Sequence, residues 1–450
     1  MLKEAVAHYH QLLKDEDLAE SSRRMLNDGL TEAKLIFGGR PLSPYLRPHF
    51  VTETDWARIE KICETVWSAL QKVKDASIRD EKILDELGLT EIEKELVAID
   101  PKYSQVSPSS RLDSFLTEDA YSFVELNGES PAGIAYADAA YDIFSELPIM
   151  QKFSEKYNLR KLYGRQHLLD VLLEVYTEFS GGKFERAPQI AIVDLKGLPT
   201  QKEFELFQEF FESQGYRAII ASPDELEFSG GRLRRGDFEI DIVYKRLLVN
   251  EFLPIMDEFS ALLEAYRAGA VCMANSFRSK LVHKKAIFAV LTNEKYAYLF
   301  DENEKAAITA HVPWTRMFRE ETTEHNGEKI ELIEFTRQNA NRMVLKPNDE
   351  YGGTGIYIGW NSSESEWEDA INIALADGDY LVQERVKTAK EMFPMLTTGD
   401  NFQFIEQLVD LDPLLFNGKV RSAFTRLSSS ELANVSSGGG MVPTFIISEK

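Results

Sequence analysis

Two side chains that can bind a metal ion stand two residues apart in the segment FVELNGESPAG (123–133). If residues 120–127 form a strand that ends at Asn127, the Glu125 carboxylate and the Asn127 amide oxygen point to the same face. Mg²⁺ takes oxygen ligands at about 2.0–2.1 Å and combines one or two carboxylates with water and phosphate oxygens. The spacing therefore predicts a Mg²⁺ site that also binds a phosphate compound.

A second pair of charged side chains precedes this segment, in RLDSF. Asp113 lies twelve residues before Glu125, which suits a hairpin of two strands joined by a turn at 117–119. In such a hairpin Asp113 lies beside Glu125. Taken alone, Asn127 also suits an ordinary Asn-Gly turn, and Arg111 with Asp113 an exposed ion pair. The combination, more than any one residue, indicates a metal site.

The segment VLKPNDEYGGTGIYIG (344–359) combines a lysine with closely spaced glycines. A short apolar run leads to Lys346, and because Pro347 cannot donate to a β-ladder, the strand should stop there with the lysine at its mouth. A lysine supplies a mobile charge for phosphate, and glycines let backbone N–H groups approach an anion. The spacing matches neither a P-loop nor a Rossmann fingerprint. The alternative is a glycine-rich hairpin between two strands. The glycines are Gly352, Gly353 and Gly355.

Two polar residues interrupt the apolar strand YLVQERV (380–386). Buried polar groups cost free energy unless they are hydrogen-bonded, so Gln383 and Glu384 need partners. The edge of an adenine base, contacted by backbone groups near Glu384, would supply them. A solvent-facing strand edge would do so equally well, and the segment alone leaves both interpretations open.

The composition is that of a globular enzyme, with 44% hydrophobic and 28% charged residues over 450 positions. A net charge of −23 argues against a nucleic-acid partner, whose binding depends on Lys and Arg. The two cysteines, Cys63 and Cys272, are too few for a disulfide framework, which favours a reducing compartment. There is no signal-peptide pattern at the start and no apolar run of the ~18–20 residues needed to span a bilayer. We expect a cytoplasmic protein without a membrane partner.

The chain divides into four regions of different character. Residues 1–100 are helical, with an apolar stripe along 54–75, and 101–150 carry the metal segment. Residues 151–272 contain a βαβ rhythm, which favours a doubly wound parallel sheet. Residues 273–450 mix strands and helices and carry the lysine–glycine segment. The expected fold class is therefore α/β combined with α+β.

The order of these motifs resembles the ATP-grasp superfamily in its circularly permuted form, typified by glutathionylspermidine synthetases. That family carries R-x-D followed by E-x-N-x-[DE]-[ST]-P, and ordinary ATP-grasp enzymes place this metal motif near the end of the chain, not before the lysine. The resemblance extends over roughly residues 105–445 and implies ATP-grasp lobes, a pre-ATP-grasp doubly wound domain and an N-terminal helical region. The matching residues here are Arg111, Asp113, Glu125, Asn127, Glu129, Ser130 and Pro131.

The resemblance also implies roles for individual residues. Two Mg²⁺ ions would be held by Asp113, Glu125, Asn127 and Glu350, although Tyr351 interrupts the family's glycine run there. ATP would be bound by Lys346, by Lys284 or Lys285, by Gly352, Gly353 and Gly355, and by Gln383, Glu384 and Val386. Catalysis would involve Arg111, Ser130 and either Arg421 or Arg426, with Asn434 and Gly438–Gly440 closing over the substrate.

The activity implied is that of an ATP-dependent carboxylate–amine ligase, which forms an acyl phosphate and releases ADP and phosphate. Its partners would be ATP, Mg²⁺, a small-molecule or peptide carboxylate and an amine. Three alternatives stay open: a phosphotransferase of the same superfamily, a nucleotide-binding protein without catalysis, and a non-enzymatic interaction scaffold. The oligomeric state and the identity of both co-substrates do not follow from the sequence.

Overall fold

The computed structural model describes residues 1–37, 39–183, 186–397, 401–430 and 439–450. Helices and sheets occur together along the chain, so the fold is mixed α/β. Among these residues, no helix combines the length and the apolar composition that a membrane span requires. Cys63 and Cys272 are buried and form no disulfide.

The first hundred residues are mainly helical. Their helices are α1 (Leu2–Leu12), α2 (Glu16–Glu32), α3 (Glu53–Ser77), α4 (Glu81–Glu86) and α5 (Glu91–Ala98). Their strands are β1 (Ile36–Phe37), β2 (Arg40–Pro41) and β3 (His49–Thr52). Helix α3 begins where the Thr52 hydroxyl accepts the N–H of Asp55 at 3.0 Å, a standard N-terminal cap. Its apolar stripe is buried, as its periodicity predicts.

The metal segment forms a hairpin followed by two helices. The elements are β4 (Ser109–Leu116), β5 (Tyr121–Asn127), α6 (Ile134–Glu146), α7 (Pro148–Ser154) and β6 (Tyr157–Arg160). Strands β4 and β5 pair antiparallel, and the N–H of Thr117 donates to the carbonyl of Ala120 across the turn at 2.8 Å. The hairpin predicted from the spacing of Asp113 and Glu125 is thereby confirmed.

A parallel sheet follows. The elements are α8 (Arg165–Ser180), β7 (Ile190–Val193), α9 (Gln201–Ser213), β8 (Ala218–Ala221), β9 (Glu227–Ser229), β10 (Arg232–Arg235), β11 (Phe238–Ile240), β12 (Ile242–Lys245), α10 (Val249–Phe252), α11 (Ala261–Arg267) and β13 (Cys272–Ala274). The strand order is β13-β12-β7-β8 with every pair parallel, which confirms the predicted βαβ rhythm. All four residues of β7 are buried, as expected for a strand covered on both faces.

The lysine–glycine segment belongs to a four-stranded antiparallel sheet of order β14-β19-β17-β18. The elements of this lobe are α12 (Lys280–His283), α13 (Ala286–Leu291), α14 (Glu302–His311), β14 (Thr315–Met317), β15 (Thr322–His325), β16 (Glu328–Glu331), α15 (Leu332–Gln338), β17 (Met343–Pro347), β18 (Tyr357–Ile358), α16 (Glu364–Asp377) and β19 (Tyr380–Glu384). Strand β17 ends at Pro347, as predicted. Short 3₁₀ helices occupy Pro223–Glu225, Leu253–Ile255, Phe277–Ser279, Glu294–Leu299, Ala340–Arg342 and Gly359–Asn361.

The last strands return to the beginning of the chain. They are β20 (Ala389–Leu396), β21 (Phe402–Phe416), β22 (Lys419–Ser428), β23 (Gly440–Val442) and β24 (Thr444–Glu449). A six-stranded sheet has the path β23-β22-β21-β4-β5, with β20 also paired to β21, and its register places Leu414 opposite Arg111. Strand β24 lies between β3 and β6. The hairpin therefore shares a sheet with residues some three hundred positions later, and the boundaries of the four predicted regions stay a prediction.

Candidate active site

The hairpin places its functional side chains opposite one another. Asp113 is the register partner of Glu125, and Arg111 is the partner of Asn127. The Asn127 amide donates through Nδ2 to Oδ1 of Asp113 at 2.9 Å. The ladder shifts by one residue immediately after Asp113, a bulge of the kind that re-aims side chains beside functional sites. Two carboxylates and one amide thus converge at the open end of the hairpin.

Lys346 connects the antiparallel lobe to the hairpin. Its Nζ donates to the carbonyl of Val124 at 3.2 Å and to Oε1 of Gln383 at 2.7 Å. Burial lowers the pKa of Lys346 to about 8, although the nearby charge of Glu125 acts in the opposite direction. The two segments singled out in the sequence, more than two hundred residues apart, therefore meet at one place.

The structure distinguishes the two adjacent lysines Lys284 and Lys285. The Nζ of Lys285 lies 3.7 Å from Oε1 of Glu125, and it donates to the backbone carbonyl of Glu350. The Nζ of Lys284 points elsewhere, 3.4 Å from Glu93 and 3.2 Å from Asp349. Lys285 is therefore the one of the pair that faces the metal segment.

A buried ion cluster lies behind the hairpin, on β4, β21 and β22. Arg111 donates through Nε to Asp113 at 2.8 Å, and Arg426 donates through Nη2 to both Asp113 and Asp410. The Nε of Arg426 also lies 3.0 Å from Oδ2 of Asp412. Ligand oxygens of Asp113, Asp410 and Asp412 lie within 4.8 Å of one another. Three carboxylates thus face two guanidinium groups.

The charges of this cluster are unevenly balanced. Burial alone would raise the pKa of Asp113, but Arg111 and Arg426 outweigh it and lower the pKa to about 2. Burial raises the pKa of Asp412 well above its usual range, because Arg426 compensates it only in part. Burial also raises the pKa of Asp410. The cluster has three carboxyl groups for two guanidinium groups, and the raised pKa values of Asp410 and Asp412 show that burial favours their neutral forms; a bound cation would favour the ionised forms.

A cavity of about 550 Å³ lies where the hairpin, the parallel sheet and the antiparallel lobe meet. The hairpin residues and Lys346 line it, and so do Ser130 and Arg426. Its volume is in the range of ligand pockets, roughly 300–1,000 Å³. One side, which we call the apolar wall, consists of Val344, Ile356, Ile358, Trp360 and Val386. Another side, which we call the acidic wall, is contributed by α6 and by the segments that follow the strands of the parallel sheet, and it includes Tyr136, Asp194, Thr200, Leu248 and Glu251.

The glycine segment forms the turn between β17 and β18. Gly352 and Gly353 line the cavity, and both have positive φ angles, of 68° and 81°. Gly355 has a φ of 69°, and a Cβ there would come within 2.8 Å of the Tyr380 hydroxyl, so only glycine fits without strain. Gly355 is not part of the cavity wall. The hairpin interpretation is confirmed, since the segment joins two paired strands. Phosphate binding by the glycines stays a prediction, and Gly352 and Gly353 face the cavity.

Strand β19 carries its polar residues to the edge of the cavity. Gln383 accepts from Lys346 and donates through Nε2 to the hydroxyl of Thr315 at 3.1 Å. The carboxylate of Glu384 lies 3.0 Å from Nε2 of His325. The backbone N–H of Glu384 donates to the carbonyl of Trp314 at 2.9 Å. Gln383, Glu384 and Val386 all line the cavity, so the strand edge lies against a pocket.

Some predicted site residues lie outside the cavity wall. Arg421 is exposed and Arg426 lines the cavity, so only the latter is placed to act there. The Glu350 side chain is exposed, and its backbone carbonyl accepts from Lys285. Of the predicted closing segment, Asn434 and Gly438 lie outside the described residues, and Gly440 begins β23.

The sequence analysis missed several residues that the fold brings to the site. Asp410 and Asp412 stand two apart in the apolar strand LVDLDPLLF, and this alternation of carboxylates in a buried strand was the available signal. Asp194 directly follows β7, where parallel sheets bind their ligands. No comparable signal marks Trp360, which becomes a cavity residue through the turn after β18.

A family model described as a circularly permuted ATP-grasp matches residues 116–383, more than half of the chain. The chain belongs to the circularly permuted ATP-grasp family. This agrees with a metal segment that precedes the lysine along the chain and nevertheless shares a cavity with it.

Comparisons with individual proteins give more distant relatives of this ATP-grasp chain. An uncharacterized protein of Synechocystis sp. is 26% identical over 262 residues, which are 54% of this chain and 50% of that protein. A Frankia alni protein provisionally named a glutamate–cysteine ligase is 26% identical over 227 residues, 48% of this chain and 24% of that protein. The chain thus spans half or less of these relatives. The structure of a glutathione synthetase-like effector from Globodera pallida, in its apo form, matches 96% of this chain and 97% of that one, with a TM-score of 0.61 and 14% identity. At that identity the likeness concerns the fold alone.

ATP-grasp proteins generally use ATP and Mg²⁺, and the residues present fit both. Within the described part of the chain, no group donates a hydrogen bond to the Glu125 carboxylate, whose one ion contact is Lys285 at 3.7 Å. Glu125 therefore offers free hard oxygen ligands of the kind that Mg²⁺ prefers, whereas both oxygens of Asp113 accept hydrogen bonds from Arg111 and would have to exchange them for the metal. The apolar wall provides a flat hydrophobic surface suited to a nucleobase, where Arg385 also stacks on Trp360 at 4.2 Å.

Proposed function

We propose that this protein is an ATP-dependent carboxylate–amine ligase that forms an acyl phosphate and releases ADP and phosphate. The observation that carries the proposal is the contact between Lys346 and the backbone of Val124, which puts a phosphate-binding lysine next to Glu125 in one cavity. In one cavity, the lysine can bind the phosphates and the carboxylate can bind their metal ion. Together they can hold a metal-bound triphosphate. A non-enzymatic interaction scaffold would not require these two residues to lie in one cavity.

In this proposal the nucleotide lies across the cavity. The adenine packs on the apolar wall and meets the edge of β19 near Glu384 and Val386. The phosphates meet Lys346, Lys285 and the N–H groups of Gly352 and Gly353, whose positive φ angles turn the backbone toward an anion. Glu125, Asp113 and Asn127 would hold Mg²⁺, which neutralises phosphate charge when it is bound.

The chemistry requires strong neutralisation, because a carboxylate anion must approach a phosphate anion. A carboxylate oxygen of the acyl donor attacks the γ-phosphorus, the bond to the bridging oxygen breaks, and ADP leaves. The amine then attacks the acyl carbon, phosphate leaves, and the nitrogen gives up a proton. Arg111 and Arg426 donate to Asp113 and supply positive charge there. A well-placed donor to a developing oxyanion contributes roughly 3 kcal/mol in comparable sites.

The name of one relative agrees with amide formation between a carboxylate and an amine. The Frankia alni relative is named for joining glutamate to cysteine, although this chain covers 24% of it. We therefore infer a ligase of small molecules or peptides. The finer prediction, a likeness to glutathionylspermidine synthetases in particular, stays a prediction, as do both co-substrates.

An isotope experiment tests the proposal. Purified protein is incubated with ATP, Mg²⁺, pooled amines and pooled carboxylates whose carboxyl oxygens are ¹⁸O-labelled. We expect ADP only when both pools are present, a new amide by mass spectrometry, and one ¹⁸O atom in the released phosphate, because the acyl oxygen leaves with it. A phosphorylated product that accumulates without amide indicates a phosphotransferase instead. No ADP with any pool contradicts an enzymatic role.

The two adjacent lysines provide a matched pair of variants. We expect Lys285→Ala to weaken MgATP binding at least about tenfold, because a positive charge is lost 3.7 Å from Glu125, which lines the cavity. Lys284→Ala should leave binding nearly unchanged and lower the free energy of unfolding by about 3 kcal/mol, since Glu93 and Asp349 lose a buried partner. Titration calorimetry and urea denaturation measure the two effects. The reverse pattern would assign the phosphate contact to Lys284.

A further inference from the structure

We propose that the acidic wall binds the amine co-substrate as an ammonium ion, held between the carboxylates of Asp194 and Glu251. This inference rests on the proposed ligase function and names the chemical class of its acceptor. The ligand is a primary amine that carries a positive charge when it binds, and the cavity recognises it through that charge. The ammonium gives one proton to the Asp194 carboxylate before its nitrogen attacks the acyl carbon, and the nitrogen gives up a second proton when the amide forms.

Asp194 is a buried carboxylate with a free acceptor atom. It directly follows β7 at the carboxyl edge of the parallel sheet, is 7% exposed and lines the cavity. Its Oδ1 accepts the N–H of Leu195 at 2.8 Å. Its Oδ2 accepts no hydrogen bond from the described residues, and a carboxylate with an unpaired oxygen in such a place calls for a donor. An ammonium group carries three donors.

The second carboxylate belongs to Glu251, in the short helix α10 that follows β12. Its Oε2 accepts the N–H of Leu248 at 3.2 Å, and its Oε1 accepts the hydroxyl of Tyr351 at 3.2 Å. Tyr351 belongs to the glycine segment, so the turn that faces the phosphates also reaches the acidic wall. Tyr351, which interrupts the family's glycine run, thus positions Glu251 in the acceptor subsite.

The cation beside this wall, Arg246, makes hydrogen bonds within the protein. Arg246 is 2% exposed, and its Nη1 donates to the carbonyl of Pro131 at 2.6 Å and to the hydroxyl of Tyr244 at 3.1 Å. Its Nη2 lies 3.8 Å from Glu203. The guanidinium therefore holds the loop after the metal segment through Nη1, while its Nε donates to no group among the described residues.

The start of α6, which also opens on the cavity, is likewise neutralised. Buried Glu203 accepts the N–H groups of Gly133 at 2.7 Å and Ala135 at 3.1 Å, the donors that would otherwise attract an anion. Negative groups therefore dominate this wall. Burial raises the pKa of Asp194 to about 6, partly offset by Arg246, so at neutral pH the carboxylate is mainly ionised and is stabilised by a cation.

Variants of the two carboxylates test the inference without turnover. Asp194→Asn and Glu251→Gln remove the negative charge and keep the shape, and Asp237→Asn, on an exposed turn of the same region, makes the same change of charge away from the cavity. Each protein is saturated with MgADP and titrated with 1,4-diaminobutane, ethanolamine, glycinamide and spermidine, and with the uncharged 1,4-butanediol. Calorimetry measures the dissociation constants.

We expect at least one amine of this panel to bind the wild type, and the diol not to bind. Asp194→Asn and Glu251→Gln should each weaken that amine at least tenfold, and Asp237→Asn should change its affinity less than twofold. The inference is overturned if MgADP binds and none of the amines does, or if both cavity variants bind amine as the wild type does. If Asp194→Asn binds succinate more tightly than the wild type does and keeps its affinity for every amine, the wall is an anion subsite instead.

The outcome is distinguishable from failure of the proposed function. Amine binding is measured with ADP, so it does not depend on acyl phosphate formation. Amine binding that is lost in Asp194→Asn supports the subsite even if the isotope experiment shows no amide. Conversely, amide formation at an unchanged amine KM in Asp194→Asn and Glu251→Gln supports the ligase and overturns the subsite.

Discussion

Replacing Glu125 with glutamine should reduce amide formation about a thousandfold, equivalent to about 4 kcal/mol of transition-state stabilisation, while the protein stays folded. Glu125 faces the cavity and accepts no hydrogen bond from the described residues, so the change of one oxygen to an amide nitrogen breaks no internal contact there except the ion pair with Lys285. What it removes is the charge that would hold the metal against the phosphates. Binding of MgATP should weaken together with turnover.

The control for this variant is Glu118→Gln, at the tip of the same hairpin. Glu118 is exposed and pairs with Lys3 on the surface, so the two variants differ only in where the charge is lost. Initial rates of ADP release, measured over a range of Mg²⁺ concentrations, and urea denaturation of each protein complete the comparison. A Glu125→Gln protein with the turnover of Glu118→Gln would remove Glu125 from the metal site.

The parts of this site that the sequence predicted are those with local causes. The hairpin follows from strand period and turn spacing, which bring Asp113 close to Glu125, whereas their exact register depends on the bulge after Asp113, which the spacing did not predict. The end of β17 follows from a single residue, since Pro347 lacks the donor that a longer ladder needs. Such features need no knowledge of the rest of the chain.

What could not be predicted depends on contacts between distant segments. Asp412 meets Arg111 because β21 pairs with β4, and no local pattern specifies which of many strands will be neighbours. The choice between Lys284 and Lys285 depends on side-chain directions in the turn between α12 and α13, where adjacent residues face different surroundings. The acidic wall likewise required knowing that the parallel sheet presents its carboxyl edge to the hairpin.

The buried ion cluster on β4, β21 and β22 leads to a second prediction, which concerns the stability of the protein. Arg426→Gln should lower the free energy of unfolding by about 3–5 kcal/mol, because three buried carboxylates would then face Arg111 alone. Arg421→Gln is the matched control on the same strand, exposed and outside the cavity, and should cost less than about 0.5 kcal/mol. Urea denaturation of both variants in metal-free buffer gives the comparison. Equal free energies of unfolding for the two variants would mean that Arg426 does not balance the charge of the buried carboxylates.

A double variant tests whether charge balance is the cause. Asp412 is completely buried, and its Oδ2 lies 3.0 Å from Nε of Arg426 and 3.7 Å from Nε of Arg111. If Arg426→Gln is harmful because it leaves this carboxylate unpaired, then adding Asp412→Asn should restore about 2 kcal/mol, within the range measured for coupled neighbours. If Arg426→Gln is harmful because the side chain of Arg426 no longer packs there, no such recovery is expected, since an asparagine at position 412 would not fill the space that Arg426 occupied. A strictly additive double variant would therefore reject the electrostatic explanation and retain the packing one.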